Sequence, residues 1–115
     1  MHLPPGCVFT KYDHEGGYRY DIHLNEKNIA YAFTKDVDKE TVHIDGLYTS
    51  PEHREKSLAT YLLSEIEKNN TGKLLQLKAE PYKEEGLSTQ QLVAFYKKLG
   101  YKAVSDNDVM MLKKL

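Results

Sequence analysis

A chain of 115 residues, 40% hydrophobic and 29% charged, is long enough to bury one core and has the balance of an ordinary globular protein. Sixteen basic and 17 acidic side chains leave a formal charge of −1, which argues against a protein built to neutralise a nucleic-acid backbone. The single cysteine, Cys7, excludes an internal disulfide, and no apolar run reaches the roughly 18 to 20 residues of a membrane-spanning helix.

The opening MHLPPGC lacks the basic start and apolar stretch of a signal peptide. With no disulfide to form, the expected compartment is the cytoplasm, and the expected organisation is one domain over residues 1–115. CVFTKYD (7–13) and YRYDIHL (18–24) read as strands separated by the turn signal His14-Glu15-Gly16-Gly17. In the second run Tyr18, Tyr20, Ile22 and Leu24 alternate with Arg19, Asp21 and His23, the period-two pattern of a half-buried strand. Asn25-Glu26-Lys27-Asn28 predicts a turn into a third strand over 28–34. The charged stretch 35–40 predicts a loop before a fourth strand, TVHIDGLYT, over 41–49.

The pattern changes at Ser50. Pro51 suits the first turn of a helix with Ser50 as its N-cap, and Leu58, Leu62 and Ile66 recur at helical spacing. Asn69-Asn70-Thr71-Gly72 ends that helix. Residues 73–80 predict a strand with Leu75 and Leu77 on one face, followed by a loop over 81–87. Ser88 with Gln91 three residues later is a capping-box signature, opening a helix with Leu92, Phe95 and Leu99 on one face and a stop at Gly100. Residues 101–105 and 109–115 predict a closing hairpin across Asp106-Asn107-Asp108, and the C-terminal strand offers itself for pairing in a homodimer.

The order ββββ-α-β-α-β-β predicts an α+β protein, a mixed and mostly antiparallel sheet of seven strands with two main helices. A strand–helix–strand unit places a parallel pair in that sheet, and ligands tend to bind beyond the ends of such strands, near a helix N-terminus. That location falls on SPEHREKSLATYLLSEI, residues 50–66.

The run LYTSPEHREKSLATYLL resembles motif A of the GNAT superfamily of N-acetyltransferases, a strand followed by x-P-x-x-(R/Q)-x-x-G-x-(G/A). Pro51, Arg54 and Ala59 stand at the proline, the basic or amide position and the final small residue. AFYKKLGYKAV (94–104) resembles the family's second signature, F-Y-x-x-x-G-F, in the expected order. The resemblance implies the GNAT fold and acetyl-CoA as cosubstrate. It also implies that the backbone of Arg54, Glu55, Lys56, Ser57, Leu58, Ala59 and Thr60 wraps the coenzyme pyrophosphate. The preceding strand, Leu47, Tyr48 and Thr49, would pair with the pantetheine arm. A helix N-terminus suits this task because its free amides and dipole attract anions.

Two departures from the pattern stand out. Ser57 occupies the first glycine position, where a positive φ would add strain of about 1–2 kcal/mol, and Glu55 puts a negative charge beside the phosphate site. In addition, only Gly16-Gly17 and their neighbours join the first two strands, where many relatives insert two helices that wall the acceptor site. The acceptor side is therefore expected to be open, favouring a lysine or N-terminus of a larger molecule.

Tyr96 matches the family tyrosine that protonates the departing thiolate; its other reading is core packing beside Phe95. For the base, some relatives use a glutamate on the fourth strand, and the resemblance puts His43 at that place, a side chain able to accept a proton near neutral pH; its other reading is an outward-facing strand residue. Asp45 and Glu80 are further options, and relayed water is an alternative to any single base. His53 reads as a solvated loop residue, and Cys7 as a small buried thiol. His2, His14 and His23 lack metal-ligand spacing, so no metal is expected. The leading function is transfer of acetyl from acetyl-CoA to a primary amine by direct attack, without nucleic-acid or membrane partners. The alternative is a GNAT-fold coenzyme-binding or regulatory protein lacking turnover, and a third is an unrelated α+β interaction module.

Overall fold

The computed structural model describes residues 3–80, 88–105 and 109–115. Seven strands form one sheet in the order β1-β2-β3-β4-β5-β7-β6. In chain order they are β1 (Cys7–His14), β2 (Gly17–Leu24), β3 (Lys27–Asp36), β4 (Thr41–Thr49), β5 (Leu74–Lys78), β6 (Lys102–Ala103) and β7 (Met110–Lys114). Helix α1 (Leu58–Lys68) connects β4 to β5, and α2 (Thr89–Lys98) lies between β5 and β6. Every neighbouring pair is antiparallel except β4 and β5, which run parallel. The expected α+β architecture is therefore present.

The first three strands are joined by two-residue turns. His14 pairs with Gly17, leaving Glu15 and Gly16 at φ 38° and 84°; Leu24 pairs with Lys27, leaving Asn25 and Glu26 at φ 51° and 67°. Both central residues being left-handed is the geometry that matches strand twist in a tight hairpin. β3 thus begins at Lys27, one residue before its expected start at Asn28, and runs on to Asp36, two residues beyond its expected end. At Gly17 a Cβ would sit 1.9 Å from the Thr34 carbonyl oxygen on β3, so β2 and β3 approach this closely at that end only because the position has no side chain.

One face of the sheet is apolar. Tyr20, Ile22, Ala30, Ala32, Val42, Ile44, Leu75, Leu77 and Met111 are buried there against Leu58, Leu62, Leu63 and Ile66 of α1 and Leu92 and Tyr96 of α2. Lys113, on the same face as Leu75, ties the helices together: its Nζ donates to Glu67 Oε1 at 2.9 Å and to the Leu99 carbonyl at 2.7 Å. Among the described residues no helix covers the opposite face. There Arg19 lies 4.8 Å from the ring centroids of both Tyr31 and Phe33 and donates to Asp21, which also accepts from the Tyr12 hydroxyl. This cluster explains why Asp21, on the polar side of β2, is nevertheless buried.

The helix boundaries follow local chemistry. The capping box at α2 is formed in full, with Gln91 N donating to Ser88 Oγ and Ser88 N donating to the Gln91 side chain. At the end of α1 the Asn69 and Asn70 side chains donate to the Glu65 and Ile66 carbonyls, capping groups that the helix leaves open. The buried line of α2 is Leu92 and Tyr96, while Phe95 and Leu99 are half-buried. Residues 51–56 differ from expectation: they form a 3₁₀ turn, and α1 proper begins at Leu58. Ser50 makes no capping bond; its hydroxyl lies 2.6 Å from His53 Nδ1, so His53 is held rather than free in solvent.

Strand β6 is only two residues long, and β7 lies inside the sheet between β5 and β6, so the C-terminal strand is not an edge. Cys7 is half-buried. The 81–87 loop, the Asp106–Asp108 turn, His2 and the side chains of Glu55 and Lys56 lie outside the described residues.

Candidate active site

The site begins with an irregularity in β4. Phe33 pairs with Gly46 and Thr34 with Ile44, so Asp45 is an extra residue without a partner on β3. A bulge of this kind resets the alternation of side chains. Before it Val42 and Ile44 face the helices; after it Thr49 is buried and Leu47 packs on the core. The parallel pairing with β5 also stops there, running only from Thr41–Leu74 to Ile44–Leu77. Beyond Ile44 the two parallel strands separate, and the gap between them is the cleft.

Two cavities meet here, one in this gap and one between the end of β4, the start of α1 and α2. The first, about 380 Å³, is lined by His43, Ile44, Asp45, Gly46, Leu47, Leu77, Lys78, Glu80 and Tyr96. The second, about 340 Å³, is lined by Leu47, Thr49, Arg54, Ala59, Gln91, Leu92, Phe95 and Tyr96. Leu47 and Tyr96 belong to both, so they stand at the junction. Tyr96 is only 7% exposed, so core packing and a place in the site coexist in one side chain.

All the residues expected to handle protons meet in the first cavity. The His43 ring lies with Nδ1 3.2 Å from Gln76 Nε2 and Nε2 3.8 Å from Asp45 Oδ1. His43 is on the helix-free face, as its outward reading required, yet it reaches the cleft because the strands part at that point.

Of the residues expected to hold coenzyme, Leu47, Thr49, Arg54 and Ala59 line the second cavity. Tyr48 points to the helix-free face and stacks on Tyr31 at 5.1 Å, so among these groups it offers backbone alone to the cleft. Leu58 is buried in the core, and Thr60 is half-buried without lining either cavity. Ser57 is exposed with φ 58° and ψ 27°, the left-handed conformation that a glycine would adopt without strain. It forms the joint between the 3₁₀ turn and α1, and its carbonyl accepts the first helical bond from Tyr61 N at 3.0 Å.

Gln91, Leu92 and Phe95 on α2 were not identified as part of the groove from the sequence, and Gln76 was not identified at all. Their signal was present in the spacing: Leu92 and Phe95 share a helical turn with Tyr96, and Gln76 alternates with Leu75 and Leu77. Among the described residues no group of three or more His, Cys, Asp or Glu side chains is placed to hold a metal, and no helix is long and apolar enough to cross a membrane.

A family model described as an acetyltransferase (GNAT) domain matches residues 13–103. The chain belongs to the GNAT family of acetyltransferases. Its fold is similar to that of a GNAT family acetyltransferase from Elizabethkingia anophelis with acetyl-CoA bound, with TM-score 0.75 and 14% identity over 97% of this chain and 100% of that one. An acetyltransferase from Streptococcus agalactiae matches with TM-score 0.74 and 15% identity, covering 96% of this chain and 99% of that one. The PaiA N-acetyltransferase of Thermoplasma acidophilum, in complex with coenzyme A, matches with TM-score 0.63 and 21% identity over 84% of this chain and 60% of that one. No curated protein matched the chain. Membership of the GNAT family removes the reading as an unrelated interaction module.

Proposed function

We propose that this GNAT protein transfers the acetyl group of acetyl-CoA to a primary amine by direct attack, and that the amine is an exposed lysine or N-terminus of a larger molecule. The observation that carries the reading is Tyr96 at the junction of two cavities, one apolar and flanked by Arg54, the other lined by His43, Asp45 and Glu80. The apolar cavity fits a pantetheine arm: Leu47, Leu92 and Phe95 offer a sleeve, and Ala59 leaves the backbone of the first turn of α1 accessible to phosphate. Bound there, acetyl-CoA supplies an acyl group activated as a thioester.

The chain's own residues then divide the proton work. His43 Nε2 takes a proton from the incoming ammonium group, leaving a neutral amine able to form the C–N bond as the C–S bond breaks. The Tyr96 hydroxyl gives its proton to the departing sulfur and recovers one from the newly formed amide nitrogen through solvent. Asp45 and Glu80 lower the energy of a cationic acceptor in the cleft. The two-residue turn between β1 and β2 leaves the acceptor side without a helical wall, which supports a macromolecular acceptor over a small amine.

Tyr96→Phe should lower kcat by at least tenfold with the affinity for acetyl-CoA unchanged, read by thiol release and by calorimetry. Unchanged turnover would remove Tyr96 as the acid. A second reading, coenzyme binding without turnover, is favoured by Ser57 in place of glycine at a left-handed position. Incubation with acetyl-CoA and lysine-containing peptides separates the two, because only the enzyme releases coenzyme A in step with peptide acetylation.

A further inference from the structure

We propose that Gln76 is a positioning residue that sets the tautomer of His43, holding the ring proton on Nδ1 so that Nε2 is the atom that accepts the substrate proton. This rests on the reading of His43 as the base. The two residues are direct partners in the parallel ladder between β4 and β5, and their side chains share the helix-free face. Gln76 Nε2 is 3.2 Å from His43 Nδ1, whereas Asp45 Oδ1 is 3.8 Å from Nε2, outside hydrogen-bond range. Gln76 is therefore the group that decides where the neutral ring carries its hydrogen.

As placed, the carboxamide turns Nε2 to the ring, and half a turn about its last torsion brings Oε1 to the same point with no other atom moved. With the amide N–H towards the ring, Nδ1 must be the acceptor and Nε2 carries the proton. That ring has no lone pair facing the cleft. With Oε1 towards the ring, Nδ1–H donates and Nε2 is open. Only Oε1 serves both states of a working base. It accepts from Nδ1–H before and after Nε2 is protonated, whereas an amide N–H would meet a second N–H as soon as the ring became cationic.

A glutamine does this without adding charge. A carboxylate at the same place would stabilise the imidazolium and raise the pH at which the base becomes available. The other charged and titratable groups facing His43 are Lys35 from β3, its ladder partner, Asp45 on its own strand, Lys78 and Glu80 from β5 and the segment after it, and Tyr96 from α2. Asp45 and Glu80 oppose Lys35 and Lys78 in sign, so the bond to Gln76 is the directional element among them.

The test uses the full chain labelled with ¹⁵N, with the tautomer and titration of the His43 ring read by NMR and kcat/KM measured across pH. The wild-type neutral ring should carry its proton on Nδ1. Gln76→Leu should abolish that preference and lower kcat about tenfold with KM for acetyl-CoA unchanged. Gln76→Glu should retain the Nδ1–H tautomer, recover most of the rate at high pH, and move the acidic limb of the profile up by about one pH unit. A wild-type ring protonated on Nε2, or a Gln76→Leu protein with tautomer and rate unaltered, would overturn this role alone. Full turnover in His43→Ala would instead overturn the base and, with it, the purpose of the bond. The ring spectrum distinguishes the two failures, because it is read without substrate.

Discussion

Ser57 has the backbone of a glycine and the side chain of a serine. Its left-handed conformation costs about 1–2 kcal/mol for a residue with a Cβ, while glycine costs about 0.5–1 kcal/mol more than other residues in lost chain freedom. The first cost is slightly larger, so Ser57→Gly should stabilise the protein by about 1 kcal/mol or less in chemical denaturation. Acetyl-CoA affinity should be equal or tighter by calorimetry; a large loss would mean that the serine hydroxyl has become a phosphate ligand. Tyr101 presents the opposite case, a core residue with an unused polar group. Its hydroxyl has no hydrogen-bond partner among the described residues, and burial, followed by the nearby Glu67 carboxylate, pushes its pKa well above the ordinary value of 10.0. The folded protein keeps this proton at a pH where the unfolded chain releases it. The contribution is therefore complete below about pH 10 and is lost as pH rises above it, by up to about 1.4 kcal/mol per pH unit. Tyr101→Phe should match or exceed wild-type stability at pH 8 and show a shallower decline between pH 10 and 11.5, followed by urea unfolding.

At the scale of elements, the parts legible in the sequence were those fixed by local chemistry. Alternation in β2, the Ser88–Gln91 box and the Asn69–Gly72 stop are decided by neighbours within a few residues. The elements misread were those decided by distant partners. Lys27 looks like a turn residue, yet pairing with Leu24 draws it into β3. Pro51 looks like the start of a helix, but the chain must first bend at Ser57 before α1 can lie on the sheet, so the helix starts seven residues later. The site divides in the same way. Tyr96, His43, Arg54 and Ala59 were found through their resemblance to a family pattern, whereas Gln76 becomes visible only when the β4–β5 register is known. The hairpin between β1 and β2 carries a prediction of this scale. Gly17→Ala would place a methyl group against the Thr34 carbonyl, which belongs to a backbone that cannot step aside. It should cost about 3 kcal/mol and lower the melting temperature by roughly 10 °C or more, measured by calorimetry.

For the whole molecule, the proposed coenzyme site couples ligand to fold. Acetyl-CoA at a hundred times its Kd should stabilise the protein by about 2.7 kcal/mol, raising the melting temperature by roughly 10 °C, while a coenzyme lacking the pyrophosphate should do less. No shift at any accessible concentration would remove coenzyme binding from the proposal. Among the described residues the helices cover one face of the sheet, and β1 and β6 are its edges. The unpaired residue at Asp45 gives this arrangement an unusual genetic property. It acts on β4 as an inserted letter acts on a reading frame, and every residue after it is already read in the shifted frame. Deleting Asp45 would leave Ile44–Thr34 and Gly46–Phe33 as consecutive pairs of a regular ladder, with Leu47 and Thr49 still towards the helices and Tyr48 still away from them. The fold should therefore survive loss of this one letter, while the cleft loses the bend that the bulge puts into β4.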